Sequence, residues 1–166
     1  MSTRTCEFES HLRHQIERNF MNYCISYFGQ LKNFPSNLFP VSTVKWEQDW
    51  FRGTMPRVEE LVIPDRIVSS LAETNEMCRK NCPLSIPCKF MKRYREYLNT
   101  IDFDRLLVKL ELLTLDKPVD TIVLMVYEKD DVPCAERPVL QDWFAAHGIE
   151  LKEWVRPIHK KETNLF

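Results

Sequence analysis

Glycine is scarce in this 166-residue chain: Gly29, Gly53 and Gly148 stand alone against 10 prolines. Three scattered glycines exclude a phosphate-cradling loop, because neither G-x-G-x-x-G nor G-x-x-x-x-G-K occurs. No serine sits in a G-x-S-x-G elbow, which removes that route to a nucleophilic hydrolase. Long apolar runs are missing too. Stretches such as Ile122–Tyr127 fall far short of the ~20 residues that cross a bilayer, so no membrane partner is expected. The opening residues Met1 to Thr5 carry no apolar leader core, and an intracellular protein, cytoplasmic or nuclear, is expected. An excess of one charge is also absent: 23 Lys and Arg balance 24 Asp and Glu, leaving no bulk field to draw nucleic acid.

What is present suffices for a packed core. The chain is 44% hydrophobic and 28% charged, which excludes bulk disorder. Residues 1–156 read as one domain and 157–166 as a C-terminal tail. Inside a cell, six cysteines are expected as thiols, metal ligands or small buried groups rather than a disulfide frame.

Periodicity supplies the expected elements. Phe8, Leu12, Ile16, Phe20, Tyr23, Cys24, Tyr27, Phe28 and Leu31 recur at helical spacing and predict one long helix over Glu7–Leu31. Val41–Trp50 contains a short strand pattern. Pro64 and Asp65 open a helix running to about Arg79, and a further helix spans Ser85–Ile101. Leu106, Val108, Leu110 and Leu112 fall on one face, with Arg105, Lys109 and Glu111 among the residues of the other, the period of a half-buried strand over Phe103–Leu115. Asp116-Lys117-Pro118 forms a turn, and Thr121–Tyr127, apolar on both faces, reads as a central strand. The two strands are expected to form an antiparallel hairpin. A short helix follows from Pro138, Gly148 caps it, and Ile149–Val155 is an edge strand. The expected fold is α+β: a long N-terminal helix and further helices packed on a small, mainly antiparallel sheet.

Several groupings bear on chemistry. Cys78 and Cys82 have the spacing of one zinc knuckle, with Cys88 nearby, but a second knuckle is missing. Zinc through these three cysteines is therefore an alternative, and no cofactor is the leading expectation. Cys88 follows Pro87, yet Met91 occupies the next ligand position of a zinc deaminase and no H-x-E precedes it. His11 and His14 lie three apart on the first helix without a second ligand pair. Glu128, Asp130 and Asp131 end the central strand in a polar turn and lack the partner motif of a metal nuclease. Six basic residues and no acid fall between Arg79 and Arg95. Among them Lys89, Lys92, Arg93 and Arg95, interleaved with Phe90 and Tyr94, are candidates for nucleic-acid contact.

The order of segments resembles the HORMA family. The likeness rests on Asn19–Phe28 (NFMNYCISYF) followed by Phe34-Pro35-Ser36-Asn37-Leu38-Phe39, then Asp102–Leu110, Lys117-Pro118-Val119-Asp120, Ile122–Glu128, the Pro138 helix and Ile149–Val155. The family locks partner peptides against its sheet with a C-terminal belt. No room for that belt remains after Val155, so the resemblance implies a belt-less variant and transfers no binding residue.

No catalytic constellation is assembled, and the chain reads as a non-enzymatic interaction domain, an adaptor or subunit of an intracellular complex with a protein or peptide partner. Trp46, Trp50, Phe51 and Met55 cluster in a stretch of weak periodicity and are candidate contact residues. Ile149 and Leu151 on the edge strand are candidates for strand addition.

Overall fold

The computed structural model describes residues 21–46, 48–51, 53–68, 89–127 and 135–157, with the backbone alone at 68, 89 and 90. Among these residues, four strands form a sheet: β1 (Asn22–Tyr27), β2 (Leu38–Ser42), β3 (Thr121–Val126) and β4 (Lys152–Glu153). Among the described residues, helices α1 (Asp65–Val68), α2 (Lys89–Leu98), α3 (Phe103–Leu112) and α4 (Glu136–Ala146) accompany them. The strand order is β2-β3-β1-β4, and every neighbouring pair runs parallel.

The mainly antiparallel α+β expectation is thereby corrected to an α/β arrangement. A parallel pair cannot be joined by a tight turn, so each connection must cross over the sheet. The predicted hairpin partner of β3, Phe103–Leu115, is instead α3 and its exit turn. Asp102 caps that helix by accepting a hydrogen bond from the Arg105 amide at 3.1 Å. The predicted long N-terminal helix fails over its second half. Asn22–Tyr27 is β1, and a 3-10 turn occupies Phe28–Asn33. Residues 7–20 of that prediction lie outside the described residues. Two segments behind the HORMA likeness, Asn19–Phe28 and Asp102–Leu110, thus contain a strand and a helix respectively where a helix and a strand were expected.

The pleat sorts the strands into two faces. Ile25, Val41, Ile122, Leu124 and Val126 face a large core with Met91, Tyr94 and Leu98 of α2, Phe103, Leu106 and Leu110 of α3, and Leu140, Trp143 and Phe144 of α4. Phe103 packs edge-on against both Trp143 and Phe144, with ring centroids 5.1 Å apart in each case. Cys24, Phe28, Val123 and Met125 face a smaller cluster that includes Val44, Phe34, Phe51, Met55 and Trp154. Burial pushes the Cys24 thiol pKa up to about 12.

Pro40 is consistent with the topology. It lies in β2, which pairs with β3 on one side and forms a sheet edge on the other, where a missing N–H costs no ladder bond. At the other edge, Arg137 of α4 is buried and forms an ion pair with Glu153 of β4 at 3.0 Å.

Candidate functional site

In an open parallel sheet the carboxyl ends of the strands share one edge, where connecting loops gather and ligands bind. Here β2 delivers Ser42 and Thr43 to that edge. The Thr43 amide and hydroxyl both donate to the Met125 carbonyl of β3, at 3.2 and 2.9 Å. The chain then loops out and returns beside β2. Ser42 N–H donates to Pro56 O at 2.8 Å, and Val58 N–H donates to Ser42 O at 3.2 Å. These bonds clamp both ends of the stretch between Thr43 and Arg57.

That clamped loop displays Trp46 and Trp50, which are 63% and 57% exposed. Phe51 and Met55 turn the other way and pack on the smaller cluster, where Phe51 meets Phe28 edge-on at 5.4 Å. Gln48 Nε2 donates to the Tyr127 carbonyl at 3.3 Å, tying the loop to the end of β3, where the Tyr127 ring is also exposed.

Beside the tryptophans lies an open cleft of about 330 Å³, lined by Lys45, Trp46, Arg57, Glu59, Val62, Ile63, Pro64, Asp65 and Tyr97. Its charges balance. Lys45 pairs with Asp65, and Arg57 Nε lies 3.7 Å from Glu59 Oε1. Arg57 also donates to the Lys45 carbonyl at 3.3 Å. The Lys45 ammonium sits 5.2 Å from the Trp46 ring centroid. Tyr97 reaches the cleft from α2. Burial first, then the Glu60 carboxylate, raises its phenol pKa, against the pull of the Arg66 guanidinium over its ring.

The other sequence candidates fall elsewhere. Leu151 is buried at 3%, and Ile149 is half-buried against the larger core. In α2, Lys92 is exposed, whereas Arg93 and Arg95 are half-buried and Arg95 donates to the Val139 carbonyl at 3.3 Å. For Lys89 the backbone alone is described. Cys78, Cys82 and Cys88, with His11, His14, Glu128, Asp130 and Asp131, lie outside the described residues. Among the described residues, no three His, Cys, Asp or Glu side chains converge as metal ligands. Also among them, no helix is long and apolar enough to cross a membrane.

Sequence reasoning missed Lys45, Arg57, Glu59, Asp65 and Tyr97 as site residues. Their one advance signal was position. A parallel β2 marks whatever follows Ser42 as edge residues, but nothing in the local sequence pattern signals parallel pairing. No family model matches the chain, and no curated protein or solved structure matches it either.

Proposed function

We propose that the chain is a non-enzymatic interaction domain, an adaptor or subunit of an intracellular assembly, that holds a partner polypeptide at the carboxyl edge of its sheet. The observation that carries this reading is the exposure of Trp46 and Trp50 on a loop clamped at both ends. Large aromatic side chains presented on a fixed frame supply contact area with little ordering cost, which is why tryptophan dominates binding hot spots. The adjacent cleft adds direction. Its two cations and two carboxylates are held in solvent-exposed or part-exposed pairs, which contribute little and exchange readily. A partner segment bearing charges of both signs beside an apolar anchor fits that pattern.

The test is recovery of the tagged chain from its native cells, in wild-type form and as the Trp46→Ala/Trp50→Ala variant, with quantitative mass spectrometry. One polypeptide is expected at comparable molar amount with the wild type and at least about tenfold depleted with the variant. The variant should melt within about 2 °C of the wild type, because both rings are mostly in water. Equal recovery with both forms, or no stoichiometric polypeptide with either, overturns the reading. The same preparations address the alternatives. Nucleic acid released by reversing Lys92 and Arg93 would favour a nucleic-acid-associated protein, and zinc at near-unit stoichiometry would favour a metal site at Cys78, Cys82 and Cys88.

A further inference from the structure

The two ion pairs of the cleft beside Trp46 are layered in the same sense. In Lys45–Asp65 the cationic side chain is 23% exposed and the carboxylate side chain 90%. In Arg57–Glu59 the figures are 36% and 72%. The cation is the inner member of each pair and the carboxylate the outer one. Asp49, on the loop between Trp46 and Trp50, is exposed as well. What arrives from solvent therefore meets carboxylates first, beside two exposed indole rings.

The cations of the site already have partners. Lys45 holds Asp65 and sits 5.2 Å from the Trp46 ring centroid. Arg57 donates to the Lys45 carbonyl at 3.3 Å and lies 3.7 Å from Glu59. Arg66, next in sequence to Asp65, lies over the Tyr97 ring, 5.8 Å from its centroid. Glu59 and Asp65, mostly in water, keep acceptor positions open. Both line the same cleft as Trp46, so a polypeptide laid on that ring strips water from them. A carboxylate that loses water without gaining a donor is costly. An incoming acid would have to displace these carboxylates or face them at like charge. An incoming cation adds donors where acceptors stand open.

We infer that the segment seated on this loop and cleft is basic, and that an arginine side chain enters beside Trp46 to pair with Asp65 and Glu59. Such an occupant presupposes the partner-holding role of the tryptophan loop and adds to it the sign of charge that fills the cleft. Of the two signs the segment carries, the positive one faces inward. A guanidinium suits the site better than an ammonium, because it stacks on aromatic rings while its fork donates to carboxylate oxygens. The Lys45 contact shows the Trp46 ring accepting a cation within the chain itself.

Panning a random-peptide phage library on the immobilised full chain tests this. Peptides enriched on the wild type should carry arginine next to an apolar residue. They should be lost on Glu59→Gln/Asp65→Asn, with the far-ultraviolet circular dichroism spectrum unchanged. In a synthetic copy of the most enriched peptide, replacing the arginine by alanine should weaken binding at least about tenfold in fluorescence anisotropy, and replacing it by lysine should weaken it less. That replacement leaves the protein untouched, so its effect owes nothing to folding. No enrichment over the bare support, enrichment of aspartate or glutamate instead, equal binding to the carboxamide variant, or an arginine replaced without loss overturns the basic occupant. Panning on Trp46→Ala/Trp50→Ala distinguishes its failure from failure of the loop. Peptides lost on the tryptophan variant but indifferent to Glu59→Gln/Asp65→Asn sink the basic occupant and leave the partner-holding loop standing. Peptides retained on the tryptophan variant sink both.

Discussion

Asp120 shows how much a single exposed side chain can organise. It lies between α3 and β3, where its carboxylate accepts from the Thr121 hydroxyl at 2.7 Å and from the Asn37 amide at 3.0 and 3.1 Å. Its carbonyl accepts from the Asn22 amide, and its own amide donates to Asn37 O. One residue thus ties together the starts of β1, β2 and β3. The Thr121 hydroxyl and then the Asn37 amide hold the Asp120 carboxyl below its ordinary range. A carboxyl depressed in the folded state contributes stability that is present above its unfolded pKa and lost as pH falls through the folded value. Asn37→Ala should therefore move the Asp120 titration up toward an ordinary aspartate and remove part of the acid-side stability. Carboxyl-carbon NMR titration of both forms measures this, and an Asp120 midpoint unmoved by the substitution would contradict it. At this scale the sequence was a poor guide. Asp120 stands out in the sequence only through the segment Lys117-Pro118-Val119-Asp120, and its reach to Asn37, 83 positions away, depends on a parallel β2–β3 pairing that periodicity does not encode.

At the scale of elements, α4 and its exit were readable because local chemistry decides them. Gly148 has φ +84, and the Ile149 amide donates to Phe144 O while the Gly148 amide donates to Ala145 O, both at 3.0 Å. Those paired bonds are the Schellman closure that glycine favours. Adding a Cβ at Gly148 meets nothing within 4 Å, so Gly148→Ala isolates the backbone term. It should cost about 1 kcal/mol in urea unfolding through the left-handed conformation alone, and a variant as stable as the wild type would contradict that origin. Helix α3 was misread for an instructive reason. Leu106 and Leu110 belong to its inner stripe, Val108 and Leu112 to its outer one, and the two helical stripes interleave into an apparent period of two. A helix apolar on opposite sides mimics a strand in sequence. Strand β1 was misread in the opposite direction. Tyr23, Ile25 and Tyr27 share one face and Asn22, Cys24 and Ser26 the other, but Tyr23, Cys24 and Tyr27 also extend the three-to-four spacing of the stripe upstream.

At the scale of the whole molecule, the parallel order β2-β3-β1-β4 decides where exposed aromatics end up. β1 and β2, consecutive in sequence, are not neighbours in the sheet but flank β3, and the chain leaves β2 and β3 at the same edge. The aromatic cluster at Trp46, Trp50 and Phe51 was visible in sequence, but its division was not. Phe51 packs inward because it meets Phe28 and Met55 within the smaller cluster, and the two tryptophans are left facing water. This division makes the four tryptophans of the chain a direct probe of the architecture. Trp143 is fully buried in the larger core, and Trp154 is half-buried against Phe34 with ring centroids 4.6 Å apart. Iodide, which cannot enter a packed core, should quench the emission of the wild type through Trp46 and Trp50. In a Trp46→Phe/Trp50→Phe variant the remaining emission should shift to shorter wavelength and its quenching slope should fall steeply. An unchanged slope would mean that Trp143 or Trp154 carries the accessible signal and that the loop after β2 does not face water.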